Sequence, residues 1–350
     1  MSVYKEKGDK KWKVEIRTVD SVGKAIRKRK GGFNTKKEAL LWEQEFLNKL
    51  ASNSNISFKT MWEIYLEDCK SKKIKDSTII KKIQLMNNYI LPVFGNILMN
   101  EINTNHIRNF QNKLLEKNLS KNTLRIIESQ AKCVFNFAVK YYNLESNPML
   151  KVKTIGSRKN TREFTIWSLE EFQKFISVIE DIQDVVFFSL LFWTGMRVGE
   201  ALALNIKDID FKNKKLNISK TVSRSFNGDI ITKTKTESSI RKIILTDKTL
   251  ELLKKQVNRI YKPANSQRLF DFGRGYARKR FLEYIELSKV KKIRMHDLRH
   301  SHASFLIQKG INILAVSKRL GHEDIKMTLN TYAHLYEEEN NRMIDILNKI

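Results

Sequence analysis

Apolar positions along the chain change their spacing from segment to segment, and the changes mark out its elements. Trp12, Val14 and Ile16 alternate with Lys13, Glu15 and Arg17, which predicts a strand with one buried face. Residues 20–23 supply turn chemistry, residues 25–33 return as a second, very basic strand, and a short strand at 3–5 flanks them. Thr35 caps a helix whose apolar stripe is Ala39, Leu40, Trp42, Phe46, Leu47 and Leu50. Residues 51–57, rich in Ser and Asn, read as a linker.

From 58 to about 142 the spacing is helical throughout. Phe58, Met61, Trp62, Tyr65 and Leu66 make one stripe. Ser77 opens a helix that runs to Leu91 and is closed by Pro92 and Gly95. Thr104 opens a third helix, to about Lys117, and Ser120 a fourth carrying Leu124, Ile127, Ala131, Val134, Phe135 and Ala138. Asn147-Pro148 ends this bundle, and basic residues 151–162 form a second linker. Ser168 and Glu171 then make a capping box ahead of an apolar helix, followed by a helix over 184–193. Short β-like runs come next at 206–211, 216–219, 230–232 and 240–245, with Asn227-Gly228 as a turn, and helices follow Thr246 to the end. The expected fold is multidomain. A small N-terminal β-sheet plus helix (1–52) precedes an all-α four-helix domain (56–150) and an α+β, mainly helical domain with a small antiparallel sheet (160–350).

Charge adds a partner to this layout. Lys and Arg number 66 against 38 Asp and Glu, a net +28 spread as +7 over residues 1–50, +8 over 51–155 and +13 over 156–350. A detachable basic tail would concentrate that excess, whereas here each segment is suited to touch a polyanion, nucleic acid first among them. A ribosome-associated protein, a membrane-surface protein or a lysine-rich proteome would also give a basic chain. Arg27, Lys28, Arg29 and Lys30 lie on one strand that could enter a DNA groove, the alternative being a solvated hairpin. Lys121 and Arg125, like Lys72, Lys73 and Lys75, lie near helix starts, where phosphates bind. Cys69 and Cys133 have no metal-type spacing and suit a reduced cytoplasmic compartment. The polar, charged N-terminus is not expected to act as a signal peptide, and the longest apolar run, 185–193, is too short to span a bilayer. No Gly-rich phosphate loop or acidic cluster for Mg²⁺ is present, which disfavours ATPases and two-metal nucleases.

The chemistry sits in the last module. Its sequence reads Thr194-Gly195-Met196-Arg197-Val198-Gly199-Glu200, later His296-Asp297-Leu298-Arg299-His300, then Leu320-Gly321-His322 and, after nine further residues, Tyr332. This order of Arg, Lys, His-x-x-Arg, Gly-His and Tyr resembles the tyrosine recombinase (phage integrase) family, strongly over the last module and in architecture alone over the first two. Breaking a phosphodiester without metal needs a nucleophile, cationic donors for the non-bridging oxygens and an acid for the leaving oxygen. A phosphotyrosine conserves the bond energy, so no ATP and no cofactor is implied.

The resemblance assigns Tyr332 as nucleophile, with Arg197, Arg299, His296 and His322 around the phosphate and its protons. Arginine forks match a phosphate bidentately, and Glu200 is expected to orient Arg197. The family's acidic lysine lies in a Lys-Thr-Lys-Ser-Ser-x-Arg stretch. Here Lys235-Thr236-Glu237-Ser238-Ser239-Ile240-Arg241 matches it, with Lys233 as competitor for Lys235 and Glu237 as a departure. Five of six histidines fall between 296 and 334, which raises a metal cluster, but carboxylate or cysteine ligands in step are missing. His300 and His302 are expected to pack within their helix, His334 to sit behind the nucleophile or in solvent, and Arg241 to be a strand residue near DNA.

The resemblance further implies double-stranded DNA with core-type and arm-type sites, a homotetramer on that DNA and accessory directionality or DNA-bending proteins, with no membrane. The tail 337–350 is a candidate docking helix. A type IB topoisomerase-like enzyme would share the chemistry but not the extra N-terminal module. A non-catalytic DNA-binding relative would be expected to have lost one of the six positions.

Overall fold

The computed structural model describes residues 3–5, 11–19, 25–51, 56–157, 165–234, 237–332 and 347–348. The chain divides into two compact units, Met1–Thr161 and Arg162–Ile350.

In the first unit, β1 (Val3–Tyr4), β2 (Trp12–Val19) and β3 (Ala25–Phe33) form an antiparallel sheet in that order. Helix α1 (Lys36–Ala51) follows, and the Glu38 N–H donates to the Thr35 hydroxyl at 3.1 Å as the cap requires. Val3, Val14, Ile16 and Ala39 are buried together, with Trp12, Phe33 and Trp42 against them. Leu40, expected in the stripe, is exposed instead, because Ala39 and Trp42 set the inward face. The side chains of Phe46, Leu47 and Leu50 lie outside the described residues.

Register splits the basic strand into two faces. Lys28 and Lys30 stand opposite Ile16 and Val14, whose side chains are buried, while Arg27 and Arg29 stand opposite Arg17 and Glu15. The Lys30 ammonium lies 5.1 Å from the centre of the Trp42 ring. On the other face Glu15 takes Arg17, Arg27 and Arg29 at 3.0, 2.8 and 2.9 Å. The four-residue basic run is therefore not one surface.

Helix α2 (Phe58–Ser71) is capped by Ser57, α5 (Thr104–Leu115) by Asn103 and α6 (Lys121–Tyr141) by Ser120. Between them, α3 (Asp76–Leu85) does not end at Pro92 as expected. A π-helical turn (Met86–Ile90) carries the chain into α4 (Leu91–Phe94), with the Leu91 N–H bonded to the Met86 carbonyl. The five-residue spacing places Pro92 in the first turn of α4, where its missing N–H leaves nothing unmade. Phe94 lies at the centre of the bundle, its ring 5.6, 4.9 and 6.2 Å from those of Phe58, Phe110 and Phe135. Lys121 is exposed and Arg125 half-buried. Gly156 presses against this helix start, where a Cβ would come within 2.3 Å of the Arg125 nitrogen.

In the second unit, α7 (Leu169–Ser177) begins with the Ser168–Glu171 capping box. Helix α8 (Ile182–Thr194) is apolar on nearly every side and buried, as its composition requires. Helix α9 (Val198–Leu202) leads to two small antiparallel sheets where one was expected. One contains β4 (Ile209–Asp210), β5 (Lys215–Ile218) and β8 (Arg241–Ile244); the other is the hairpin β6 (Lys220–Ser225) with β7 (Gly228–Lys233). Ile206–Asp208, expected to be strand, is a 3-10 turn. Helices α10 (Asp247–Asn258), α11 (Arg274–Ser288), α12 (Asp297–Gln308), α13 (Ile313–Leu320) and α14 (Ile325–Tyr332) complete the unit. Among the described residues no helix is long and apolar enough to cross a membrane.

Phe94→Ala should cost about 3–5 kcal/mol of stability by opening a cavity among three rings. Chemical denaturation of the full chain, followed by far-UV circular dichroism and tryptophan fluorescence, checks this; an unchanged midpoint would contradict the central place given to Phe94.

Candidate active site

The site is assembled from the turn after α8, the start of α12 and the pair α13–α14. Gly195 ends α8 with φ +64°, and a Cβ there would come within 2.6 Å of the His302 ring and 2.8 Å of Leu320. A left-handed turn this close to a ring admits glycine alone. Its carbonyl accepts Nη1 of Arg299 at 2.8 Å.

Arg197 stands at the N-cap of α9. Its backbone N–H and its Nη1 donate to the two carboxylate oxygens of Glu200, at 2.9 and 2.8 Å. Glu200 is buried and also receives Nη2 of Arg241 at 2.9 Å. Burial alone would push the Glu200 carboxyl up, but Arg241 and Arg197 outweigh it and hold it below the ordinary carboxylate range. Arg241, expected near DNA, is buried, and its Nε and Nη1 donate to the carbonyls of Arg319 (2.8 Å) and Ser239 (3.0 Å). Three inward hydrogen bonds leave it no reach toward a duplex.

Arg299 is 3 % exposed, and its Nη2 has no hydrogen-bond partner among the described residues. Burial, then the nearby Arg197 and Arg241, push its pKa down to about 9. A buried guanidinium with an unsatisfied N–H, among other guanidiniums, is what an oxyanion would stabilise.

Three histidines surround this group. His296 precedes α12, and burial together with Arg299 and Arg197 lowers its pKa. Burial, with neighbouring cations, holds His322 at about 4; its Nδ1 is 2.7 Å from the Thr328 hydroxyl. His300 is likewise held at about 4, first by burial and then by His296. It was expected to pack within its helix; instead its Nδ1 lies 2.7 Å from the Tyr332 hydroxyl. Tyr332 ends α14 at 3 % exposure, and burial raises its pKa above the ordinary phenol value. His302 does pack internally, with Nε2 accepting from Nε of Arg319 at 3.2 Å.

Arg197, Arg299, His296, His322 and Tyr332 thus gather in one unit, with Glu200 between two arginines. Lys235 and His334 lie outside the described residues, as does all of the tail 337–350 except 347–348. Lys233 ends β7, exposed and opposite Lys220. Sequence reasoning missed the inward role of Arg241 and the contact of His300. The one available signal for His300 was its position a helical turn after His296 and beside Arg299.

Comparison with known proteins covers all of this. Residues 167–339 match the phage integrase family, 57–115 the phage integrase N-terminal SAM-like domain and 2–50 an arm DNA-binding domain. The ICEBs1 integrase of Bacillus subtilis (strain 168) is 31 % identical over 337 residues, 91 % of each chain. The integrase of Staphylococcus phage L54a is 28 % identical over 353 residues, 88 % of this chain and 98 % of that one. Among solved structures, the Tn1549 transposon integrase in complex with transposon right end DNA superposes with a TM-score of 0.69. It is 21 % identical and covers 84 % of this chain and 100 % of its own. A lambda integrase tetramer bound to a Holliday junction gives 0.63 at 17 % identity, covering 94 % of each chain.

Two outcomes are expected. Glu200→Gln leaves the buried Arg241 uncompensated and should cost about 3–5 kcal/mol, measured by urea denaturation; a loss under 1 kcal/mol would show the pair to be dispensable. His300, His302 and His322 are neutral in the folded chain, with pKa values of about 4, 3 and 4 against an ordinary 6.5. Between those values the unfolded chain binds more protons, so their contribution is full above pH 6.5 and is lost as pH falls through 4. Urea midpoints should therefore drop steadily from pH 6.5 to 4, and a flat profile would exclude this linkage.

Proposed function

The chain belongs to the phage integrase family and is an integrase of a phage or mobile element, and from that premise we propose the reaction its site performs. Tyr332 attacks the scissile phosphate, the bond from Oη to phosphorus forms, and the bond to O5′ breaks. A 3′-phosphotyrosyl link and a free 5′-hydroxyl result. The 5′-hydroxyl of the partner duplex then attacks in turn, releases Tyr332 and completes the exchange. Bond energy is conserved throughout, so neither ATP nor a metal ion enters the scheme.

The observation that carries this reading is the neighbourhood of Tyr332. Its buried hydroxyl shares a compact cluster with His300, Arg299 and His322, and Arg299 holds an unsatisfied N–H there. Arg197 and Arg299 would take the non-bridging oxygens, with Glu200 fixing the first. His296 and His322 would line the phosphate, and Lys235 would protonate the leaving oxygen, Lys233 being its competitor.

DNA-binding segments at 1–52 and 56–150 would precede a catalytic segment at 160–350. In the first, the open face holding Arg27 and Arg29 suits an arm-type site; Lys28 and Lys30 would support it from the other face. Lys121 and Arg125 suit core-site phosphates. Four copies acting on two duplexes agree with the lambda integrase tetramer on its Holliday junction. Accessory directionality or bending proteins, and action on host DNA in the cytoplasm, complete the proposal.

A nicked suicide substrate carrying the attachment site tests it. The full chain should form a covalent protein–DNA adduct that survives denaturing electrophoresis, and Tyr332→Phe should form none. An adduct that persists in Tyr332→Phe would assign the nucleophile elsewhere.

A further inference from the structure

Resting on the phosphotyrosine reading, we propose that His300 is the base of the cleavage step, its Nδ1 taking the proton of the Tyr332 hydroxyl as the oxygen attacks phosphorus. The two atoms lie 2.7 Å apart, within the reach a general base needs. Helix α12 presents the imidazole and α14 the phenol. The other histidines are engaged elsewhere: His322 Nδ1 with the Thr328 hydroxyl, His302 Nε2 with Arg319. His296 stands edge-on to His300, ring centroids 5.4 Å apart.

Chemistry at this position requires such a base. A phenol buried to 3 % exposure resists ionising before attack, so its proton must leave as the bond to phosphorus forms. A neutral imidazole whose Nε2 carries the hydrogen accepts that proton at Nδ1. His296, Arg299 and Arg294 disfavour the imidazolium, while Asp297 favours it. A phosphate on the arginines would offset their charge and move His300 back toward its ordinary basicity, so the base strengthens when substrate is in place.

The step balances. Oη–P forms and P–O5′ breaks; the phenol proton goes to Nδ1 of His300, and O5′ takes a proton from the acid assigned above to Lys235. On rejoining, the incoming 5′-hydroxyl attacks phosphorus and gives its proton back to the acid assigned to Lys235, while Oη leaves and recovers its proton from His300.

The test uses the full chain with His300→Ala and His300→Gln, the second keeping a hydrogen-bonding side chain. DNA binding is checked by site protection. Single-turnover adduct formation is then timed on suicide substrates with an ordinary 5′-oxygen and with a 5′-bridging sulfur, which leaves without an acid. Both variants should bind DNA yet form adduct about 10²–10⁴-fold more slowly on both substrates, and free imidazole should restore part of the His300→Ala rate. Lys235→Ala should recover on sulfur. Wild-type rates in either His300 variant, recovery on sulfur, or no response to imidazole would each overturn the assignment. Absence of adduct in the unaltered chain would instead overturn the phosphotyrosine reading itself.

Discussion

Three guanidiniums, those of Arg197, Arg241 and Arg299, are drawn into one small volume whose nearest anion is the carboxylate of Glu200. Glu200 takes two of them, Arg197 and Arg241. Arg299 is left to a backbone carbonyl, with one N–H unsatisfied. Like charges at such range repel strongly in a buried setting, so the surrounding structure must hold them. Arg241 ties β8 to the carbonyl of Arg319 on α13, and Arg319 reaches the carbonyl of Trp193 on α8 at 3.0 Å. Sheet and helices are thus fastened to one another around a charge imbalance, and Gly195 supplies the close approach that lets them meet.

Much of this framework was legible because it is local. Thr35, Ser120 and Ser168 cap the helices their positions imply, and the alternation at Trp12–Ile16 gives β2 its buried face. Arg197, His296, Arg299, His322 and Tyr332, spread over 136 positions, lie in one unit. What escaped depends on partners far along the chain. Arg241 looks like any basic strand residue until Glu200, 41 positions earlier, turns it inward. His300 looks like helix packing until α14 brings Tyr332 against it. Pro92 reads as a stop because sequence rules count four-residue spacing, whereas the π-helical turn before it shifts the spacing to five.

The same reasoning reduces what bulk charge can say. A net +28 indicates a polyanionic partner, yet several of the most conspicuous cations already have partners within the protein. Glu15 grips three arginines of the N-terminal sheet, Trp42 takes Lys30, and Glu200 takes Arg241. Surface ion pairs such as those of Glu15 are weak, so these arginines would give up little in exchanging Glu15 for a phosphate. Arg241, buried and bonded three times, would give up more.

The arrangement around Tyr332 shows why burial and reactivity need not conflict. An exposed, ionised phenolate would attack indiscriminately, and a buried neutral phenol is inert on its own. In this site the Tyr332 phenol is neutral, the histidines beside it are neutral, and the excess charge rests on Arg299 and its neighbours. A phosphodiester oxygen entering that cluster would supply the missing anion, satisfy the open N–H of Arg299 and raise the basicity of the imidazoles in one event. Water supplies none of that charge. The cluster would then be electrostatically complete only with a phosphate in it.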